Sequence, residues 1–183
     1  MDIEITNTDI NDTCVLNGDD DTKDRCGIIL LDSTYNILSV VGKDTGKVSF
    51  PKGKRKVKET EWEAAVRECK EEAGLNLEDP FVKSRINFLE KIIIDDIHYF
   101  VFYYPFPGFL LVKDKDLDSP DTSKVFWMNI LIYNMYDCNH TLRKFITHSY
   151  SASYFKQIAD INLKQNHSIY IKGNKQLYYK KLY

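Results

Sequence analysis

The residues best equipped for chemistry lie in Phe50–Leu75, which reads FPKGKRKVKETEWEAAVRECKEEAGL. A helix advances ~100° per residue, so with Glu68 at zero, Glu72 falls near ~40°, Glu71 near ~300° and Glu61 near ~20°. Trp62, Val66, Cys69 and Ala73 gather on an adjacent stripe at roughly 100–160°. One face is carboxylate and the next is apolar. Arg67 stands four residues after Glu63 and four before Glu71, a spacing that lets it pair with either and fix the rotamer of Glu71. Three carboxylates within one turn repel one another without a cation, which predicts at least one raised pKa. Hard oxygen donors at this density suit Mg²⁺ or Mn²⁺. Just upstream, Lys52, Lys54, Arg55, Lys56 and Lys58 surround Gly53, whose missing side chain lets the backbone approach a ligand. Cations beside a carboxylate-held metal suit a polyphosphate.

These groups need elements to position them. Runs rich in β-branched and aromatic residues predict strands at 26–31, 37–41, 47–50, 86–94, 98–104 and 125–130, with Asp95-Asp96 as a hairpin turn. Residues 59–73 carry the helical period, and Gly74 is placed to stop it. A second helical stretch is expected within 139–163, and the tail 168–183 reads as a hairpin or an arm. Strands, a helix, then strands and helices predict an α/β or α+β sandwich. The segment Gly42-Lys43-Asp44-Thr45-Gly46-Lys47-Val48 is not a P-loop, because it has one residue too few between its glycines and no Ser or Thr after the lysine.

Composition narrows the class. The chain has 183 residues, 43% of them apolar and 13% aromatic, with a net charge of −2, which fits one domain with short appendages. The expected organisation is an acidic extension over 1–25, a catalytic domain over 26–165 and a basic tail over 166–183. Residues 1–24 hold eight acids against Lys23, while 141–183 hold eight bases against Asp160, so the basic end is suited to a polyanion such as RNA. No apolar run approaches the ~20 residues of a membrane-spanning helix. Cys14, Cys26, Cys69 and Cys138 are scattered, and the four histidines lack metal-ligand spacing, which argues against a disulfide framework or a zinc site. An acidic start and unpaired cysteines lead to the expectation of a cytoplasmic protein without a membrane partner.

Gly53, Glu59, Arg67-Glu68, Glu71-Glu72 and Gly74-Leu75 stand at the spacing of a complete Nudix box, and the sequence resembles the Nudix hydrolases over about residues 26–130. Only Cys69 departs from the pattern, replacing an aliphatic residue with a small thiol. The resemblance implies a Nudix α/β/α sandwich with a mixed sheet and a catalytic loop-helix-loop. It also implies metal carried by Glu68, Glu71 and Glu72 with the Gly53 carbonyl, and water attacking a phosphoanhydride. Lys52, Lys54 and Arg55 would bind substrate phosphates. Glu59 would cap or orient the loop–helix junction, with Arg67 supporting it.

The opening Phe50-Pro51-Lys52-Gly53-Lys54 is most similar to the mRNA-decapping members. Those enzymes also place an acid six residues before a strand tryptophan, here Asp121 before Trp127, as general base or extra metal ligand. Asp121 or Glu71 is then the expected proton acceptor, and Lys54 is expected to act on bridging-phosphate charge. The implied reaction releases methylguanosine diphosphate and 5′-monophosphate RNA from capped RNA. Small phosphorylated substrates, namely diphosphoinositol polyphosphates or dinucleoside polyphosphates, are the alternative. An RNA-binding module without catalysis is the reading from another class.

Overall fold

The computed structural model describes residues 24–117, 119–148 and 151–160. Its centre is a strand with an almost unbroken apolar sequence, β1 (Arg25–Asp32), in which every residue after Arg25 is buried. Such a run marks a strand covered on both faces. β1 runs parallel to β6 (Ile97–Tyr104) and antiparallel to β2 (Asn36–Gly42). β5 (Asn87–Ile94) pairs with β6 on one side, and β8 (Thr122–Asn129) pairs with β2 on the other. With β7 (Lys115–Asp116) at the far edge, the order is β5-β6-β1-β2-β8-β7 in an open mixed sheet. The short strands β3 (Val48–Ser49) and β4 (Lys52–Lys54) pair with β2 and β1.

The sequence-based strands are recovered with differences at 47–50, at 125–130, where the strand begins earlier at Thr122, and at two unexpected short strands, β4 and β7. The run 47–50 is a strand only over Val48–Ser49, and β4 lies where a loop was expected. Lys-Gly-Lys has no apolar alternation, so its extended form comes from pairing, with Cys26 opposite Gly53. The β5–β6 turn uses Asp95 and Asp96, both at positive φ, as a two-residue hairpin requires.

Helix α1 (Glu61–Ala73) starts at Thr60, whose side chain accepts from the Glu63 N–H while Glu63 accepts from the Thr60 N–H. That reciprocal box satisfies two otherwise orphaned donors. Glu63 is thereby committed to the cap. Gly74 ends the helix at φ 68°, a left-handed position that glycine takes without steric cost. Ala64, Ala65, Cys69 and Ala73 are fully buried against Ile28, Leu30, Leu38 and Val125, with Trp62 and Val66 partly buried beside them. The apolar stripe is therefore centred closer to Ala65 than the spacing alone suggests. A short helix α2 (Pro80–Lys83) follows, capped by the Asp79 carboxylate.

The chain contacts divide between Leu142 and Arg143. In the second unit, Phe145 stacks on Tyr154 at 5.9 Å, and residues 151–160 are helical. Together with α3 (His140–Thr147), this matches the helical stretch expected within 139–163. The acidic residues 1–23 and the basic tail 166–183 lie outside the described residues. No helix among the described residues is long and apolar enough to cross a membrane.

Candidate active site

Four pieces of chain meet here, the first of them α1 itself and the second β4. β4 lies beside β1, where the core fixes it, and presents Gly53 directly to Glu68. A Cβ built on Gly53 would stand 2.1–2.3 Å from the Glu68 carboxyl atoms, so only glycine leaves that carboxylate where it is. One residue earlier, the Lys52 N–H donates to Glu72 Oε2 at 2.8 Å. The third piece is the entry to β8, where Thr122 Oγ1 donates to the Glu72 carbonyl at 3.3 Å and brings Asp121 close enough for its charge to act on Glu72. The fourth is the 55–59 loop. Glu59 accepts from the Lys56 N–H at 2.8 Å and from Arg67 at 2.7 and 3.0 Å.

Arg67 is the hub. Its Nη1 lies 2.6 Å from Glu68 Oε1 and 3.1 Å from Glu71 Oε2, and its Nη2 donates to the Lys54 carbonyl at 2.9 Å. Of the two partners that helical spacing allows Arg67, it takes Glu71, because Glu63 is spent on the Thr60 capping box. Glu59 orients the loop through Arg67 and Lys56, while Thr60 is the cap itself. Glu59 thus takes the orienting one of the two roles open to it, and Thr60-x-x-Glu63 is the sequence signal for the cap.

The predicted carboxylate crowding has electrostatic consequences. The Glu72 pKa is pushed up to about 7, chiefly by burial, with Glu68 and Asp121 adding repulsion and the Lys52 N–H and ammonium opposing it. Glu68 is also raised, first by burial and then by Glu71, against the pull of Arg67. Desolvation, not repulsion among the glutamates, is therefore the leading cause. Glu59 is held below the usual range by its Arg67 hydrogen bonds. Burial lowers the Lys52 pKa, and Glu72 restores part of it.

The structure thus brings Glu68, Glu71, Glu72, Gly53, Lys52, Glu59, Arg67 and Asp121 into one neighbourhood. Lys54 is exposed at the end of β4. Arg55 is turned away from solvent, with its side chain 9% exposed, pairing with Asp24 at 2.9 Å and donating to the Glu59 carbonyl at 3.0 Å. It buttresses the loop in this arrangement. Among the described residues, no group of three or more His, Cys, Asp or Glu side chains is arranged to hold a metal, since Glu68 and Glu71 are drawn to Arg67 and Glu72 to Lys52. The donor chemistry nevertheless fits a hard divalent cation. It is all oxygen, and it contains two carboxylates whose raised pKa values register the cost of burying their negative charge.

The NUDIX domain profile matches residues 21–148, and the chain belongs to that family. It is a Nudix hydrolase, of the class that acts on phosphoanhydrides and generally uses divalent metal ions. No curated protein matches the sequence. A Caenorhabditis elegans Ap4A hydrolase, solved as a binary complex, is similar in fold, with a TM-score of 0.50 and 16% identity over 73% of this chain and 97% of that one. The Escherichia coli dihydroneopterin triphosphate pyrophosphohydrolase gives a TM-score of 0.49 and 14% identity over 67% and 91%. MutT from Aliivibrio salmonicida and Vibrio cholerae gives 0.42 and 16% over 68% and 96%. At these identities the likeness is one of fold.

Proposed function

We propose that this Nudix hydrolase removes the 5′ cap of mRNA in a divalent-metal-dependent reaction, giving methylguanosine diphosphate and 5′-monophosphate RNA. The observation that carries the reading is the place of Asp121. The residue expected from the decapping-type pattern lies at the β8 entry, where its charge reaches Glu72. The Phe50–Lys54 opening, similar to the decapping members, supplies the facing strand.

Glu68, Glu71 and Glu72, with the Gly53 carbonyl, would hold Mg²⁺ or Mn²⁺. When bound, such an ion polarises a phosphoryl oxygen and lowers the pKa of water. The chain's own residues do the rest. Arg67 and Glu59 lock the loop to the helix, so the donors keep their spacing. Lys52 and Lys54 offset charge on the bridging phosphates. Asp121, or Glu71 from the exposed side of α1, accepts the proton of the attacking water. The basic carboxyl-terminal segment, with Tyr170, Tyr178 and Tyr179 among its lysines, would hold the RNA body by charge and stacking.

Dinucleoside or diphosphoinositol polyphosphate hydrolysis is the second reading, since a lysine-rich loop serves any dense phosphate cluster. The Ap4A hydrolase among the similar folds makes the dinucleoside substrate the natural control. A binding module without catalysis is disfavoured by the intact set Glu68, Glu71 and Glu72. The test incubates cap-labelled RNA, diadenosine tetraphosphate and a diphosphoinositol polyphosphate in parallel with Mg²⁺ or Mn²⁺. Release of labelled methylguanosine diphosphate supports decapping. Turnover of the small substrates alone refutes it, and turnover of none refutes catalysis.

A further inference from the structure

The turn between β2 and β3, set aside above as a failed P-loop, grips the segment that carries Asp121. Its backbone is well determined by its own bonds. The Gly42 N–H donates to the Lys47 carbonyl at 3.0 Å, the Gly46 N–H donates to the Gly42 carbonyl at 2.8 Å, and Gly46 takes φ 65°. From this rigid turn Lys43 reaches the β8 entry twice. Its N–H donates to the Asp121 carbonyl at 2.9 Å, and its ammonium donates to the Ser119 carbonyl at 3.1 Å. The β2–β8 pairing shifts register between Val41 and Gly42 and ends at Gly42 opposite Thr122, so Asp121 lies just beyond the last ladder pair, where the Lys43 bonds extend the hold. The remaining ties are local or lie on the other side. Ser119 Oγ accepts from the N–H groups of Asp121 and Thr122 at 3.3 and 3.2 Å, and Thr122 reaches back to Glu72.

We infer that Lys43 is a positioning residue for the reaction, a two-point clamp that holds the Asp121 segment against Glu72. This rests on the reading of Asp121 as proton acceptor. An aspartate is one methylene shorter than a glutamate, so its reach depends on where its backbone is held, and a displacement of ~1 Å can cost up to about a hundredfold in rate. The ammonium bond is exposed and adds little to folding, whereas its orienting effect falls on one catalytic segment.

The experiment compares the full chain with its Lys43→Met, Lys43→Arg, Asp121→Asn and Lys43→Met/Asp121→Asn variants, using Mg²⁺ with cap-labelled RNA and diadenosine tetraphosphate. The clamp predicts that Lys43→Met lowers kcat about tenfold, with KM within about twofold and the melting midpoint within about 2 °C. Lys43→Arg, which keeps a donor in reach of Ser119, should recover most of the rate. In the double variant the lysine change should add nothing to the loss from Asp121→Asn. A slow Asp121→Asn beside a Lys43→Met at the wild-type rate overturns the clamp and leaves the reading of Asp121 standing. A wild-type rate in Asp121→Asn overturns that reading and the clamp with it. A Lys43→Met loss that persists undiminished on the Asp121→Asn background also overturns the clamp, because the lysine would then act elsewhere.

Discussion

Replacing Gly53 with alanine separates the site from the fold. The new methyl would occupy the space of the Glu68 carboxyl group, at 2.1–2.3 Å from its atoms, so that side chain must move. The obstacle is the far end of a flexible glutamate and not backbone, so moving it is cheap. The movement breaks the Glu68–Arg67 ion pair, whose partners are 12% and 19% exposed, but Arg67 keeps Glu59, Glu71 and the Lys54 carbonyl, so the net cost is that of one hydrogen bond, about 1 kcal/mol. Gly→Ala in an ordinary extended position returns about 0.4–1 kcal/mol through the unfolded chain. The two nearly cancel, so the melting temperature should stay within about 4 °C of the parent. Catalysis should fall by about a hundredfold or more, because Glu68 leaves the donor set and its new position crowds the Gly53 carbonyl. Thermal melts and initial rates on the substrate panel with Mg²⁺ decide it. A normal melt with an unchanged rate would show that Gly53 is not needed to admit the Glu68 carboxylate.

Other outcomes follow from the same geometry. Glu72 holds its proton more tightly folded, at about 7, than at its ordinary 4.5. Its contribution to stability is therefore fully present below about pH 4.5 and is lost as the pH rises through 7. Metal-free Glu72→Gln should accordingly be more stable than the parent at pH 8, by about 2 kcal/mol, while losing catalysis. Equal melting temperatures at pH 8 would show that Glu72 is not an electrostatic burden. Thr60→Ala should cost about 1 kcal/mol in a denaturant titration through loss of the cap, with KM unchanged. Deleting residues 168–183 should weaken RNA binding and flatten its salt dependence while leaving hydrolysis of diadenosine tetraphosphate intact. Equal loss on both substrates would assign the tail to folding.

The site was legible in the sequence where spacing alone specifies geometry. Glu68, Glu71, Glu72 and Arg67 share one side of a helix because of their intervals, and Gly74 marks its end. The strands were legible where they are long and apolar, as in β1 and β6. β4 was missed because three residues of Lys-Gly-Lys carry no periodicity, and pairing with β1 alone makes them a strand. Of the two helical partners open to Arg67, Glu71 is the one it takes, and its further bonds to Glu59 and Glu68 were not legible from spacing. Helical spacing allows Glu63 and Glu71 alike, the capping box removes Glu63, and Glu59 arrives from a loop whose path no local rule gives. The Arg55–Asp24 pairing was not legible, because its partners stand thirty-one residues apart.

In the proposed function, the carboxylates of α1, facing β4, hold a divalent cation that makes a phosphoanhydride hydrolysable. The most direct test is anomalous diffraction from crystals soaked in Mn²⁺, with and without a bound nucleotide. A manganese peak within coordination distance of Glu68 and Glu72, with both side chains released from Arg67 and Lys52, is the predicted result. Crystals that show no peak there under either condition would contradict the account.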